Sequence, residues 1–369
     1  MSQSLADRVL PKHLVNQLER LLSANNHLRA NPKNGVASYG TQQDRRQVLF
    51  LAFGQLWDMG YRLNNPRFFG ERHVRVLVER WEAEGLAAGT LHNRITHLAT
   101  FSSWIGKAGM TKRPVDYCPK ERVARSHIAQ EDKSFEAKGV DPLDVIELAK
   151  AIDDYLALYL SLQHHLGLRV KESIEFRPAL SISKDGKSIE VFEGTKGGRR
   201  RTVSLDSEEK REVVKWALEV ANKTRTGRVR WPDRTFRQAR RRLYHLVETK
   251  LGLTRSQLGR TMHGMRHGFV NRSYNELTGL PTPIQGGALG KIDRETHNWA
   301  LLQVSKEVGH SRIHIVGAYA GSYGHALRGA KVSRVTVSML PINLDVPKVV
   351  LPVGDPINPL PLRPLVPFA

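Results

Sequence analysis

The run GHSRIHIVGAY occupies residues 309–319 and places Tyr319 nine residues after His310. Two further runs lie upstream, GLRVKE at residues 167–172 and HGMRH at residues 263–267. A tyrosine hydroxyl can attack phosphorus and hold the product covalently. Arginine guanidinium groups can neutralise charge on phosphoryl oxygens, and histidines can move protons. Together the three runs predict cleavage of a phosphodiester without a metal.

The composition favours a polyanionic partner. The 369 residues include 57 lysines and arginines against 36 acidic residues, a formal net charge of +21. Nucleic acid is the first candidate for such a partner, and an acidic membrane surface is the second. No apolar run approaches the roughly 18 residues that span a bilayer, and residues 1–10 lack the apolar core of a signal peptide. The single cysteine, Cys118, excludes an internal disulfide and fits a reducing cytoplasm.

The N-terminal third of the chain has apolar residues at helical spacing. The spacing predicts helices within residues 5–30, over 41–59, over 71–84 and after Gly89. We therefore expect a small basic helical domain over residues 41–110, preceded by a helical extension over residues 1–40.

The segment of residues 111–140 is polar, rich in lysine and arginine, and without period, which predicts a basic linker. A solvated loop and a strap along a phosphate backbone are equally open interpretations of it.

A second domain is predicted over residues 141–338, where Asp141 and Pro142 suit the start of a helix. Further segments have the character of helices or short strands. Predicted helices cover residues 155–165, 207–222, 233–251, 263–277 and 295–308, and predicted strands cover 180–182, 188–192 and 200–205. The fold class is therefore mainly α with a small antiparallel β-sheet (α+β).

The last segment, residues 339–369, contains eight prolines and little charge, so it cannot be helical. It is either a disordered tail or an extended arm that docks on a neighbouring subunit. Its many apolar residues favour the arm slightly.

With these motifs the chain resembles the tyrosine recombinases of the phage integrase family over residues 41–330. The resemblance implies a SAM-like, helical core-binding domain and a catalytic domain of the DNA breaking-rejoining fold, which close around duplex DNA. It also implies site-specific integration or excision of a mobile genetic element through a covalent 3′-phosphotyrosine. Neither metal, ATP nor another cofactor is expected.

The same resemblance implies partners and a place in the cell. Double-stranded DNA is the expected partner, with a homotetramer on two DNA sites and accessory DNA-bending proteins. No membrane partner is expected. The protein is expected in the bacterial cytoplasm, associated with the nucleoid when bound.

The two arginine-containing runs resemble the family's two arginine boxes. Arg169 and Arg266 would bind the scissile phosphate as a clamp. Glu172, three residues after Arg169, would orient the Arg169 side chain. His263 would take the proton of the attacking hydroxyl, since an imidazole titrates near neutrality. His267 is expected to be structural.

The remaining catalytic positions follow from the same resemblance. Lys196, in a glycine-rich turn, would protonate the 5′-oxygen leaving group, and His310 would hydrogen-bond a phosphoryl oxygen. Tyr319 would be the nucleophile because of its spacing from His310. Tyr323 and Tyr274 are the rivals, with Tyr323 the next choice.

Further arginines are candidate DNA contacts, and the three that follow Lys196 compete with it for its assignment. These candidates are Arg199, Arg200, Arg201, Arg237 and Arg241. The interval between Arg266 and His310 is longer than is usual in the family. The extra piece, residues 278–296, is predicted to be an inserted loop that contacts DNA or a partner, or is only tolerated at the surface.

Two other functions remain open from the sequence. A type IB topoisomerase uses similar residues to relax supercoils alone, and formation of four-way junctions would separate it from a recombinase. A catalytically silent DNA-binding protein would carry the same charge, but it has no use for a correctly spaced tyrosine. An anionic-membrane protein is disfavoured because no basic amphipathic helix with a broad aromatic face is evident.

Overall fold

The computed structural model describes residues 10–28, 35–287, 291–310 and 313–323, apart from the side chain of His314. It is mainly helical, with one two-stranded antiparallel sheet in the described part, which confirms the predicted fold class. Among the described helices, none is both long and apolar enough to cross a membrane. The chain divides into two compact units between His127 and Ile128.

The first unit is a bundle of helices around an apolar core. Its α-helices are α1 (Lys12–Asn25), α2 (Tyr39–Asp58), α3 (Glu71–Ala83), α4 (Ala88–Trp104) and α5 (Lys120–Val123), with 3₁₀ turns at Pro66–Phe68 and Pro114–Asp116. Leu18, Phe53 and Phe101 are buried in one cluster. The indole of Trp81 is fully buried beside them and donates to Gln55 at 2.7 Å, so its polar edge is satisfied.

The segments on either side of this bundle are also anchored by apolar side chains. Leu14 and Leu22 of α1 belong to the same core as α2, so the described part of the N-terminal extension packs on the helical unit. Within the predicted linker, Val123 is buried in the first unit, whereas Phe135 and Val140 are buried in the second. The boundary between the units therefore lies inside residues 111–140.

The second unit contains most of the helices and the sheet. Its elements are α6 (Pro142–Ile152), α7 (Asp154–Leu166), α8 (Val170–Glu175), α9 (Pro178–Ser181), β1 (Ser188–Val191), β2 (Arg201–Ser204), α10 (Glu208–Asn222), α11 (Phe236–Thr249), α12 (His263–Thr278), α13 (Arg294–Glu307) and α14 (Ile313–Ala320), with 3₁₀ turns at Glu136–Lys138, Lys196–Gly198 and Pro283–Gln285. Side-chain caps fix several helix starts. Asp141 accepts from Leu143 N at 2.8 Å, and Asp153 accepts from Leu156 N at 3.1 Å.

The sheet pairs Ser188 with Ser204 and Val191 with Arg201. Two of the predicted strands are thus present, but the prediction of a strand over residues 180–182 is wrong. That segment enters the short helix α9, because Pro178 at its first turn has a backbone φ already suited to a helix. Only an isolated bridge between Ile182 and Ile189 remains of the predicted pairing.

The C-terminal helices α12, α13 and α14 share a third apolar cluster, which includes Phe269, Val304 and Val316. The first described residues of the predicted insertion are held to α12, and its last three already belong to α13. Ile284 is buried, and the Thr282 hydroxyl donates to Asn271 of α12 at 3.0 Å. The insertion is therefore docked through residues 279–287. The proline-rich segment 339–369 lies outside the described residues.

Candidate active site

Arg169 is positioned by a tight turn at the end of α7. Gly167 ends that helix with φ +59°, and a Cβ there would lie 2.5 Å from Phe269, so only glycine fits. Two residues later Arg169 caps α8. Its backbone N–H and its Nη1 each donate to Glu172, at 2.7 Å. The carboxylate of Glu172 therefore fixes the backbone and the side chain of Arg169 together.

Glu172 is fully buried, and Arg201 reaches it from strand β2. The guanidinium of Arg201 donates to both carboxylate oxygens, at 2.8 and 2.7 Å. Burial alone would raise the pKa of Glu172, but the hydrogen bonds and positive charges of Arg201 and Arg169 lower it to about 2. The structure thus corrects the expectation for Arg201: its side chain is only 2% exposed and cannot reach DNA.

Arg266 lies on α12 and is also buried. Its Nη1 donates to the carbonyl of Gly167 and its Nη2 to the carbonyl of Val308, whereas its Nε has no partner in the protein. Burial lowers its pKa to about 10, so it remains charged at neutral pH. Arg169 Nη2 also approaches the Val308 carbonyl, at 3.3 Å. The two predicted clamp arginines therefore converge on one backbone oxygen.

Tyr319 lies next to both the arginines and the histidines. It is buried on α14, a helix that the sequence analysis did not predict, and its ring centroid lies 5.8 Å from the Arg266 guanidinium carbon. The rings of His267, His263 and His310 lie 4.7, 5.6 and 6.1 Å from it, centroid to centroid. The structure thus brings the predicted nucleophile close to the predicted base, His263, and to His310.

The histidines around Tyr319 are unprotonated at neutral pH. Desolvation, reinforced by the charges of Arg266 and Arg169, lowers the pKa of His263 and of His310 to about 4. Desolvation and the neighbouring His263 lower the pKa of His267 to about 3. All three imidazoles are therefore neutral at neutral pH, and each can accept a proton.

Lys196 lies in an exposed turn between β1 and β2. The turn is completed by Gly197 with φ +74°, a conformation that favours glycine. The charge of Lys196 is among those that lower the pKa of His310, so the lysine lies within electrostatic range of that histidine. Arg199 and Arg200 follow it at the surface, and Arg200 pairs with Glu190 at 3.3 Å.

The two rival tyrosines are engaged elsewhere. Tyr323 donates its hydroxyl to the carbonyl of Ile292 at 2.7 Å, and its ring packs on His297. Tyr274 is fully buried, with its hydroxyl 2.8 Å from Nδ1 of the same histidine. Neither hydroxyl points to the arginines, so the geometry favours Tyr319.

Sequence reasoning missed the role of Arg201, although a signal was present. In a strand, alternate residues share a face, and Val203, two residues later, is buried. An arginine at an inward position of this strand is therefore expected to have a buried partner.

Arg237 and Arg241 are both exposed on α11, as a surface that contacts DNA requires. Across the described part of the chain, His, Cys, Asp and Glu side chains form no group of three or more that could hold a metal ion.

Two family models match the sequence. One is described as "Integrase" and matches residues 129–272, and the other is described as "Phage integrase, N-terminal" and matches residues 21–111. Together they span more than half of the chain. The chain belongs to the phage integrase family. It is therefore a site-specific recombinase, an enzyme that cleaves and rejoins DNA.

Solved structures of tyrosine recombinases share the fold of this integrase. A lambda integrase dimer bound to a COC′ core site matches with a TM-score of 0.53 at 14% identity, over 87% of this chain and 99% of that chain. A lambda integrase tetramer bound to a Holliday junction matches with a TM-score of 0.52 at 13% identity, over 90% and 85%. The Tn1549 transposon integrase with its right-end DNA matches at 14% identity, over 83% and 95%, with a TM-score of 0.47. No curated protein matches in sequence.

Proposed function

We propose that this integrase integrates or excises a mobile genetic element through a covalent 3′-phosphotyrosine at Tyr319. The observation that carries the proposal is the position of the Tyr319 ring, over the Arg266 guanidinium and among three histidines. A tyrosine hydroxyl beside a buried positive charge and neutral imidazoles is suited to attack an anionic phosphodiester.

In the proposed step, the Tyr319 hydroxyl oxygen attacks phosphorus, and the bond between phosphorus and the 5′-oxygen breaks. The tyrosine proton passes to His263, which is neutral at the outset because of its low pKa. Lys196 gives a proton to the leaving 5′-oxygen. The products are a phosphotyrosine on the 3′ end and a free 5′-hydroxyl.

Negative charge that develops on the non-bridging oxygens is stabilised by Arg169, Arg266 and His310. These groups supply the positive charge and hydrogen bonds that a metal ion would otherwise give, so we propose a metal-independent reaction. The energy of the broken bond is retained in the phosphotyrosine. A 5′-hydroxyl from a partner strand can therefore reverse the step without ATP.

Double-stranded DNA is the proposed partner. The net charge of +21 supports it, as do the lambda integrase complexes of similar fold, which are a dimer on a core site and a tetramer on a Holliday junction. By the same similarity we propose a homotetramer on two DNA sites, aided by accessory DNA-bending proteins. An enzyme that acts on a bacterial chromosome works in the cytoplasm, which is the proposed location.

The division of labour between domains is also a proposal. We assign core-site binding to the helical domain of residues 41–110 and strand cleavage to residues 141–338, joined by the basic segment 111–140. The burial of Val123 in the first unit and of Phe135 in the second supports a short connection between two anchored ends.

A covalent-trapping assay tests the chemistry. Wild-type protein, Tyr319→Phe and Tyr323→Phe are incubated with a nicked duplex that bears the element's end, then denatured in detergent. We expect a protein–DNA adduct in the wild type and in Tyr323→Phe and none in Tyr319→Phe. An adduct in Tyr319→Phe would show that another residue, with Tyr323 as the first candidate, is the nucleophile. Normal binding of all three proteins without any adduct would identify a silent DNA-binding protein.

A junction assay separates recombination from topoisomerase activity. Two duplex sites are supplied with wild-type protein, and four-way junctions are resolved by native electrophoresis. A recombinase accumulates junctions and exchanged strands. Relaxation of supercoiled DNA without junctions would instead indicate a type IB topoisomerase.

A further inference from the structure

Arg201 joins three elements of the catalytic unit through one guanidinium. From strand β2 its Nη1 and Nη2 donate to Glu172 of α8, and its Nε donates to the carbonyl of Glu307, the last residue of α13, at 2.6 Å. All three kinds of nitrogen in the group are thus engaged in the interior. A planar guanidinium can satisfy this set of acceptors, whereas a lysine ammonium cannot reproduce its fork.

The turn between β1 and β2 that carries Lys196, here called the lysine turn, is also held to α8 at its other end. Gly194 has φ +73°, and a Cβ there would lie 2.8 Å from the carbonyl oxygen of Lys171. The backbone of residue 194 therefore lies directly on the backbone of the first turn of α8. Lys196 lies between this contact and Arg201, so both ends of its turn are held against the helix that follows Arg169.

Arg201 also contacts the segment that leads to His310. Gly309 has φ +68°, and a Cβ there would lie 2.9 Å from the Cδ of Arg201. The Arg201 side chain packs on Gly309 and donates a hydrogen bond to the carbonyl of Glu307. These two contacts fix the position of β2 relative to the end of α13. A change at Arg201 therefore shifts the turn of Lys196 relative to the two arginines and His310.

We propose that Arg201 is a positioning residue, which holds the Lys196 turn at the distance from Arg169 and Arg266 that protonation of the leaving group requires. The inference rests on the proposed function, in which Lys196 is the proton donor. Arg201 itself touches neither DNA nor the reacting atoms. Glu172 keeps its two bonds to Arg169 when Arg201 is changed, so the phosphate clamp remains while the turn loses its register.

The test compares two leaving groups on otherwise identical DNA. One substrate has the natural 5′-oxygen, and the other has a bridging 5′-sulfur, which leaves as a thiolate without a proton because thiols are far stronger acids than alcohols. We expect Arg201→Lys to cleave the oxygen substrate on the order of 100-fold more slowly than wild type, as a displaced catalytic group predicts. On the sulfur substrate we expect it to stay within about tenfold of wild type.

Two reference variants define the expected pattern. Lys196→Ala removes the donor itself, so Arg201→Lys should show the same selective loss on oxygen. Arg272→Lys is the matched control, because Arg272 likewise donates to a glutamate, Glu136, and to a backbone carbonyl, but away from the turn. It should cleave both substrates like the wild type. Folding is checked by circular dichroism and thermal melting, and DNA binding by gel shift.

Equal slowing of Arg201→Lys on both substrates would overturn the inference, as would normal cleavage of the oxygen substrate. If Arg201→Lys does not fold, Gly194→Ala tests the other anchor, because it strains the contact of the turn with the backbone of Lys171 and Glu172 but keeps the Arg201 guanidinium. The wild type and Lys196→Ala separate a failure of the proposed function from a failure of the role of Arg201. No adduct from the wild type contradicts the proposed function, and a lack of sulfur rescue in Lys196→Ala contradicts Lys196 as the proton donor. Sulfur rescue of Lys196→Ala without rescue of Arg201→Lys contradicts only the role of Arg201.

Discussion

The phosphate clamp and the lysine turn solve different physical problems within one site. In the clamp, Glu172 and Arg266 are buried, and hydrogen bonds within the protein hold Arg169 and Arg266 in place. In the turn, Lys196 is exposed and followed by two glycines. Fixed dipoles and charges stabilise a transition state best when they need not reorganise. A proton donor must instead reach a leaving group that moves. The groups that stabilise charge are therefore buried and rigid, whereas the proton donor lies on an exposed turn.

The largest expected effect is at Arg266. We expect Arg266→Met to slow cleavage by about 10³-fold, because it removes a charged donor at the phosphate. Since the carbonyl of Gly167 loses its partner and that of Val308 keeps only Arg169, the free energy of unfolding should also fall by about 1–3 kcal/mol. Single-turnover cleavage and urea denaturation measure the two effects. Lost activity with unchanged stability would contradict a buried, preformed clamp.

The next effect is on stability and depends on pH. Because the pKa of Glu172 is lowered to about 2, its stabilising contribution is present above the unfolded value of about 4.3 and is lost as pH falls towards 2. We expect Glu172→Gln to be less stable than wild type by roughly 3 kcal/mol at pH 7, with the gap narrowing below about pH 4. Urea denaturation across this range is the measurement. A gap that stays constant with pH would rule out a charged Glu172.

At the exposed turn, only activity should change. We expect Lys196→Ala to slow cleavage by about 10²-fold, as loss of a general acid predicts, while its free energy of unfolding stays within about 0.5 kcal/mol of wild type. The same two measurements apply. A marked loss of stability would show that the lysine belongs to the rigid part of the site.

The smallest effect is expected at Tyr323, four residues after the proposed nucleophile. Tyr323→Phe loses the hydrogen bond to Ile292, which should cost about 1 kcal/mol of stability. Covalent adducts should form at close to the wild-type rate. Thermal melting and adduct yield are measured on the same preparation, with Tyr244→Phe, an exposed tyrosine on α11, as a control. A rate loss larger than tenfold would place Tyr323 in the reaction.

The sequence analysis anticipated the parts of the molecule that depend on local pattern. Helix starts followed from capping residues such as Asp141, and the proposed site residues came from the resemblance of their motifs to the phage integrase family. The partners of buried polar groups could not be predicted, because they depend on contacts between distant segments. Arg201 and Glu307 are more than a hundred positions apart, yet they share a hydrogen bond. The docking of residues 279–287 was missed for the same reason.

The backbone at Gly167 ties the two clamp arginines together. Its turn starts the segment that carries Arg169, its carbonyl accepts from Arg266, and Phe269 occupies the space that a side chain would need. In a saturation-mutagenesis screen for recombination, this position should therefore tolerate no replacement, not even alanine. Substitutions at Gly167 would abolish recombination as completely as substitutions of the catalytic residues. Such a screen therefore identifies positions that require a particular backbone geometry as well as positions that take part in the reaction.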